Sequence, residues 1–247
     1  MKCVKKPNLP QGRVGVAAIN FNAHKAIDKL NILGIKTIEI NPDLRLPEPV
    51  NSHVDLQLVH LKNDNLFTQN EHLCTGELKQ NFDVFKISSV PGKKYPEDVR
   101  LNCAFIGNNL ICNTKTVARE ILDYAYVNEF TVINVNQGYS RCSICVVDEN
   151  AIITDDESIF TAAGNFFNDV LFISKGSIRL DGYNYGFIGG CCGKIDKNKI
   201  AFNGAIESHI DYKIIVDFLS RHCIECVELH KERLEDIGGI LPLMEYT

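Results

Sequence analysis

Short apolar runs and Asn-rich turns alternate along this chain with a spacing that recurs. Segments 56–69 (LQLVHLKNDNLFTQ), 102–113 (NCAFIGNNLICN), 142–154 (CSICVVDENAIIT) and 191–202 (CCGKIDKNKIAF) each read as two strands around a tight turn. Asn and Asp suit such turns because they tolerate the left-handed region. The turn asparagines Asn65, Asn109, Asn150 and Asn198 stand 44, 41 and 48 residues apart. A further β-rich run keeps step with them: 36–43, 83–90, 130–137, 169–176 and 224–231. Self-similarity at periods of about 20–50 residues marks a repeat architecture.

Between these runs the period changes to that of a helix. Residues 22–34 place Ala26, Ile27, Leu30 and Leu33 on one stripe and stop at Gly34. Residues 114–129 do the same with Val117, Ala118, Ile121, Leu122 and Ala125, with Thr114 or Thr116 as N-cap. Residues 205–222 put Ile210, Ile214, Ile215, Phe218 and Leu219 on one face. The units tile as 22–69, 70–113, 114–154, 155–203 and 204–243, forming one domain over residues 1–247. The fifth unit runs out of chain after GGILPL (238–243), whereas VGVAAIN (14–20) is a strand without a local partner. The expected fold is therefore α/β: a five-bladed β/α-propeller whose last blade is completed by the N-terminal strand, which removes an open edge.

Composition narrows the function classes. The 247 residues are 45% hydrophobic, enough for a sizeable core, and carry a net charge of −5. No Lys/Arg cluster accompanies aromatic residues, which argues against a nucleic-acid partner. No apolar run nears the roughly 18 residues of a membrane span, and the basic stretch 1–13 is followed by no signal-peptide core. Ten cysteines without a secretion signal point to free thiols in a reducing cytoplasm.

Three short places carry the chemistry: Ser52-His53-Val54-Asp55, Gly138-Tyr139-Ser140-Arg141-Cys142-Ser143 and Leu234-Glu235-Asp236-Ile237-Gly238-Gly239. With the five-unit ring, they resemble the pentein superfamily of guanidine-modifying enzymes: deiminases, dimethylarginine dimethylaminohydrolases and amidinotransferases. The resemblance in the repeat spans roughly 14–243. It implies Cys142 as nucleophile, His53 as acid/base, and Asp55 and Asp236 as carboxylates for a guanidinium. It implies a small guanidino or amidino substrate, a covalent thiouronium intermediate, and no metal or organic cofactor. His53 and Cys142 lie two units apart, as in that superfamily. The chain order His53, Cys142, Asp236 departs from it, because there the acid comes first and the Cys near the end; a circular shift of the ring reconciles the two.

The residues leave other readings open. A free Cys is usually a small buried apolar residue, and Cys192, in GFIGGCCGK, holds the equivalent place one unit on. Cys142/Cys145 and Cys223/Cys226 could be read as a four-thiolate zinc site; in a strand, though, residues i and i+3 face opposite ways. His53 and Asp55, two apart, share a face if the segment is a strand. On the same assumption Arg141 points away from Cys142, as a surface charge or as a partner for a substrate carboxylate. His24, His72, His209 and His230 read as surface residues. Loops 44–52, 91–100 and 181–190 are where specificity is expected. The competing function is a non-catalytic pentein-like binding or scaffold protein.

Overall fold

The computed structural model describes residues 1–74 and 76–246. Its hairpin strands are mostly buried on both faces, which is why sequences such as Ile144–Val146 and Ala151–Thr154 run apolar rather than alternating, whereas strands such as Asp83–Lys86 are largely exposed. The order begins with β1 (Lys2–Cys3), β2 (Val14–Asn20), α1 (His24–Ile32) and β3 (Lys36–Ile40). Next come α2 (Val54–Gln57), β4 (Leu58–His60), β5 (Asn65–Thr68), α3 (Glu77–Asn81) and β6 (Asp83–Lys86). They are followed by β7 (Ala104–Ile106), β8 (Asn109–Cys112), α4 (Arg119–Val127) and β9 (Thr131–Asn134). A fourth group holds β10 (Ile144–Val146), β11 (Ala151–Thr154), α5 (Glu157–Ala163) and β12 (Asp169–Phe172). A fifth holds β13 (Cys192–Asp196), β14 (Lys199–Phe202), α6 (Tyr212–Arg221) and β15 (Glu225–Glu228), and β16 (Leu241–Glu245) ends the chain.

These strands form five separate sheets. In β4–β6, β7–β9, β10–β12 and β13–β15, an antiparallel hairpin is extended by a third strand parallel to its second, after a helical crossover. The remaining sheet repeats the pattern with the ends of the chain. β16 is antiparallel to β2, β2 is parallel to β3, and β1 adds a fourth strand on β16. The expected pairing of 14–20 with the last apolar segment is thus present. The unit boundaries differ from those expected. Lys36–Ile40 pairs with Val14–Asn20 and not with the hairpin that follows it, and every third strand likewise joins the preceding hairpin. A helix short enough to pack on its own hairpin returns the chain parallel beside it, and the sequence period alone does not say on which side to cut.

Alternation along each strand sends neighbouring side chains into two different clusters. Ile144 and Val146 pack with Ile106 and Ile111, whereas Cys145 between them packs with Cys192, Ile200 and Phe202. Val59 joins Phe105 and Leu110, while Leu58 joins Ala18 and Leu241. The fifth cluster unites Ile195 and Ala201 with Val14, Ala17 and Ile19. Each of these five clusters therefore joins two sheets consecutive in the chain, and the last joins the sheet of β13–β15 to that of β2.

Several local expectations change. Helix α4 begins at Arg119 after Ala118, with no side-chain cap; Asn113 instead turns the chain by accepting from the Lys115 N–H at 3.0 Å. The stretch 205–222 is a 3-10 turn at Ile206–Ser208 followed by α6, so Ile210 and Ile214 lie exposed while Ile215, Phe218 and Leu219 are buried. Positive φ at the first two hairpins falls on Asn63 and Gly107 rather than on Asn65 and Asn109, which open the return strands. His209 is buried, its Nδ1 accepting from the Asp211 N–H.

Candidate functional site

One feature of the topology builds the site. The segment preceding the first strand of each hairpin carries a polar group or a tight glycine turn. His53 and Asp55 precede β4, Asn102 precedes β7, Cys142 precedes β10, Gly189–Gly190 precede β13, and Asp236 precedes β16. Contacts between these segments gather residues that are far apart in the chain.

Cys142 lies in a turn, with the Ser143 N–H on the Tyr139 carbonyl and the Ile144 N–H on that of Arg141. Its thiol donates to Asp55 Oδ2 at 2.8 Å and faces the Asn102 side-chain amide, Nδ2 to Sγ 3.0 Å. Asn102 Oδ1 accepts the backbone N–H groups of Arg141 (2.7 Å) and Cys142 (3.3 Å), and its Nδ2 also reaches the Asp55 carbonyl at 3.3 Å. One amide thus pins the Cys142 turn to the Asp55 helix. Burial, joined by repulsion from Asp236, pushes the Asp55 carboxyl up to about 7, while the hydrogen bond from Cys142 and the Arg141 charge pull the other way. Burial, then the charge of Asp55, raises the Cys142 thiol well above its ordinary value. Both observations place the proton on sulfur.

His53 and Asp236 form the opposite wall. His53 is extended (φ −65°, ψ 129°) and Asp55 falls in the first turn of α2, so the segment is not a strand and the two side chains do not share a face. His53 Nδ1 stands 3.8 Å from Asp236 Oδ1, while Asp55 turns to Cys142. Burial lowers the His53 pKa against the opposing pull of Asp236 and Glu235, which favours a neutral ring. Asp236 accepts from the backbone N–H of Gly238 through Oδ1 and of Phe187 through Oδ2, both at 2.9 Å. Glycine makes this approach possible: a Cβ on Gly190 would overlap the Asp236 carboxylate. A Cβ on Gly238, at φ +77°, would overlap His53.

A cavity of about 220 Å³ opens onto His53, Cys142 and Asp236. Val50, Leu56, Leu180, Tyr139, Tyr183, Asn184, Tyr185 and Phe187 complete its lining, so the expected loops 44–52 and 181–190 contribute to it. Two expected binding residues are elsewhere. Asp55 borders a separate space of about 20 Å³ behind the thiol, with Arg141 and His60. Arg141 is buried and donates from Nη1 to the carbonyls of Ile144 (3.0 Å) and Gly189 (3.4 Å). Its charge satisfies main-chain oxygens and is not presented to a ligand in the larger cavity. Asn102 and the glycine cradle of Asp236 carried no recognisable signal in the sequence: one Asn among many and a glycine run read as a loop. Cys192 is packed among Cys145, Ile200 and Phe202. Cys223 is exposed and Cys226 half-buried. No group of three His, Cys, Asp or Glu side chains suited to a metal exists among the described residues, nor a helix long and apolar enough to cross a membrane.

Solved structures of low sequence identity share this fold over nearly their whole length. The amidinotransferase SxtG of the saxitoxin pathway from Microseira wollei superposes with a TM-score of 0.61 at 6% identity, covering 99% of this chain and 98% of that one. Inosamine-phosphate amidinotransferase StrB1 from Streptomyces griseus gives 0.63 at 9% identity, covering 100% and 97%. DDAH from Pseudomonas aeruginosa, complexed with citrulline, gives 0.56 at 9% identity, covering 87% and 92%. All three are pentein superfamily members, so the resemblance read from the repeat is borne out at the level of the fold. A search of curated proteins returned no match. A model built for a family of unknown function, DUF6873, matches residues 18–241, and the chain belongs to that family.

Proposed function

We propose that this protein is a Cys-dependent hydrolase or amidinotransferase acting on a small guanidino or amidino compound. The observation that carries the reading is the 2.8 Å contact of the Cys142 thiol with Asp55 in a site whose other wall is the His53–Asp236 pair. The pentein-fold neighbours act on guanidino groups or bind their products, and that kinship supports the class. The five sheets and the five clusters between them fit a five-bladed β/α-propeller closed through β16 and β2.

A guanidinium carbon is a poor electrophile and calls for a thiolate. Asp236, facing the cavity, matches the N–H donors of the planar cation. The cation replaces the missing positive charge beside the thiol and so favours its ionisation. The sulfur proton passes to Asp55 Oδ2, the S–C bond forms, and the C–N bond to the leaving amine breaks. That nitrogen takes up one proton by way of His53, equal to the one lost from sulfur, which leaves a cationic thiouronium on Cys142. Water then yields a urea, one proton and the free thiol; an attacking amine instead yields a new guanidinium and the free thiol. Asp55 is thus assigned to the thiol proton and Asp236 to the substrate.

Acid quenching during turnover of guanidino compounds, followed by peptide mass analysis, tests the reading. An amidino adduct on the Cys142 peptide is expected, and its absence from every compound that is turned over overturns the covalent route.

A further inference from the structure

The site has a reactive end and a tail end, and the two differ in chemistry. His53, Cys142 and Asp236 make up the first. Among the described residues the second holds no cation. Arg141 is committed to carbonyls behind the thiol. Arg179, the cation adjacent on the outer face, is held by Glu235 at 2.8 Å and faces Asp181 at 3.9 Å. Beyond Leu180 the neighbouring cavity again pairs its charges, Lys25 with Glu232, and adds the Asp236 carboxylate. A substrate carboxylate entering here would lose water and meet acids.

The tail end is aromatic instead. Tyr139 stacks on Phe187, ring centroids 6.0 Å apart at 26°, and Tyr185 meets Phe187 edge-on at 6.0 Å and 81°. The Tyr139 hydroxyl is spent on Asp98, at 2.5 Å, so the residue lines the cavity as an apolar ring and not as a donor. Tyr183 stands half-exposed at the rim. Such walls favour apolar and aromatic groups.

We infer that the substrate is a guanidine or amidine carrying an apolar, carboxylate-free tail, an aryl or alkyl group seated on the Tyr139–Phe187 stack, and not a free amino acid such as arginine. This inference rests on the guanidine reading of the same site.

The test is calorimetric titration of the intact Cys142→Ser protein with 2-phenylethylguanidine and with arginine. Binding of 2-phenylethylguanidine at least tenfold tighter than arginine is expected. Equal or tighter binding of arginine overturns the tail assignment and leaves the guanidine reading standing. Failure of both ligands to bind overturns the guanidine reading, and the tail assignment with it. Tyr183→Arg, at a half-exposed rim position that does not threaten the fold, adds the missing cation. It is expected to tighten arginine about tenfold through a charge-assisted hydrogen bond while leaving 2-phenylethylguanidine no tighter. No gain for arginine in that variant, when the wild-type preference is also absent, contradicts the assignment.

Discussion

Cys142 and Cys192 occupy equivalent places, each just before or at the first strand of a hairpin, one sheet apart, and both are buried. Cys142 sits one turn outside β10, against Asp55 and Asn102, with a cavity beside it. Cys192 is the first residue of β13, inside an apolar cluster against Cys145. A shift of two residues along the strand separates a thiol that meets a carboxylate from a thiol that meets only another thiol and apolar side chains. Burial therefore does not distinguish the two; the polar partner and the cavity do.

The largest effect is expected at the thiol itself. Cys142→Ala removes the nucleophile and should lower turnover by at least about 10³-fold, whereas Cys192→Ala should leave kcat within about twofold, both read from steady-state kinetics. Equal losses from the two would dissolve the contrast.

Asp55→Asn comes next. It retains the shape but cannot take the thiol proton, so a loss of about 10²–10⁴-fold is expected. The same variant carries a stability signature. The folded carboxyl titrates near 7, above the ordinary carboxylate range, so folding binds a proton in that window. Its contribution is complete below about 4 and is lost as pH rises through about 7, a loss of a few kcal/mol. Urea unfolding of Asp55→Asn between pH 4 and 8 should show a shallower decline than wild type; an unchanged slope would remove Asp55 as its source.

Gly190→Ala should displace the Asp236 carboxylate that its Cβ would overlap. A drop in kcat/KM of about tenfold or more is expected, together with a stability loss of about 1–3 kcal/mol from overpacking. Retention of wild-type kinetics would mean that Asp236 can move without consequence. The smallest effect falls at Asn102→Ala, which frees the Arg141 and Cys142 N–H groups. It should cost about 1–3 kcal/mol of stability and several-fold in kcat, measured by denaturant titration and initial rates.

The sequence made the hairpins and the partnership of residues 14–20 with the last strand legible, because turn chemistry and two-faced apolar strands are local signals. It did not show which side of a hairpin each third strand joins, since that depends on the helix crossover. His53, Cys142 and Asp236 were found through motif likeness and do converge. The expected directions of the Asp55 and Arg141 side chains differ because both rested on strand alternation, whereas the segments holding them are a helical turn and a loop. Asn102 stayed invisible because its function lies in two backbone N–H groups 39 and 40 residues away.

Labelling of the native protein with a haloacetamidine, a guanidinium-shaped thiol electrophile, tests the central claim most directly, with peptide mapping of all ten cysteines and Asp55→Asn in parallel. Selective modification of Cys142, with Cys192 untouched and the selectivity lost in Asp55→Asn, is the predicted result. Labelling spread over the exposed thiols with Cys142 no more reactive than Cys192 would contradict it.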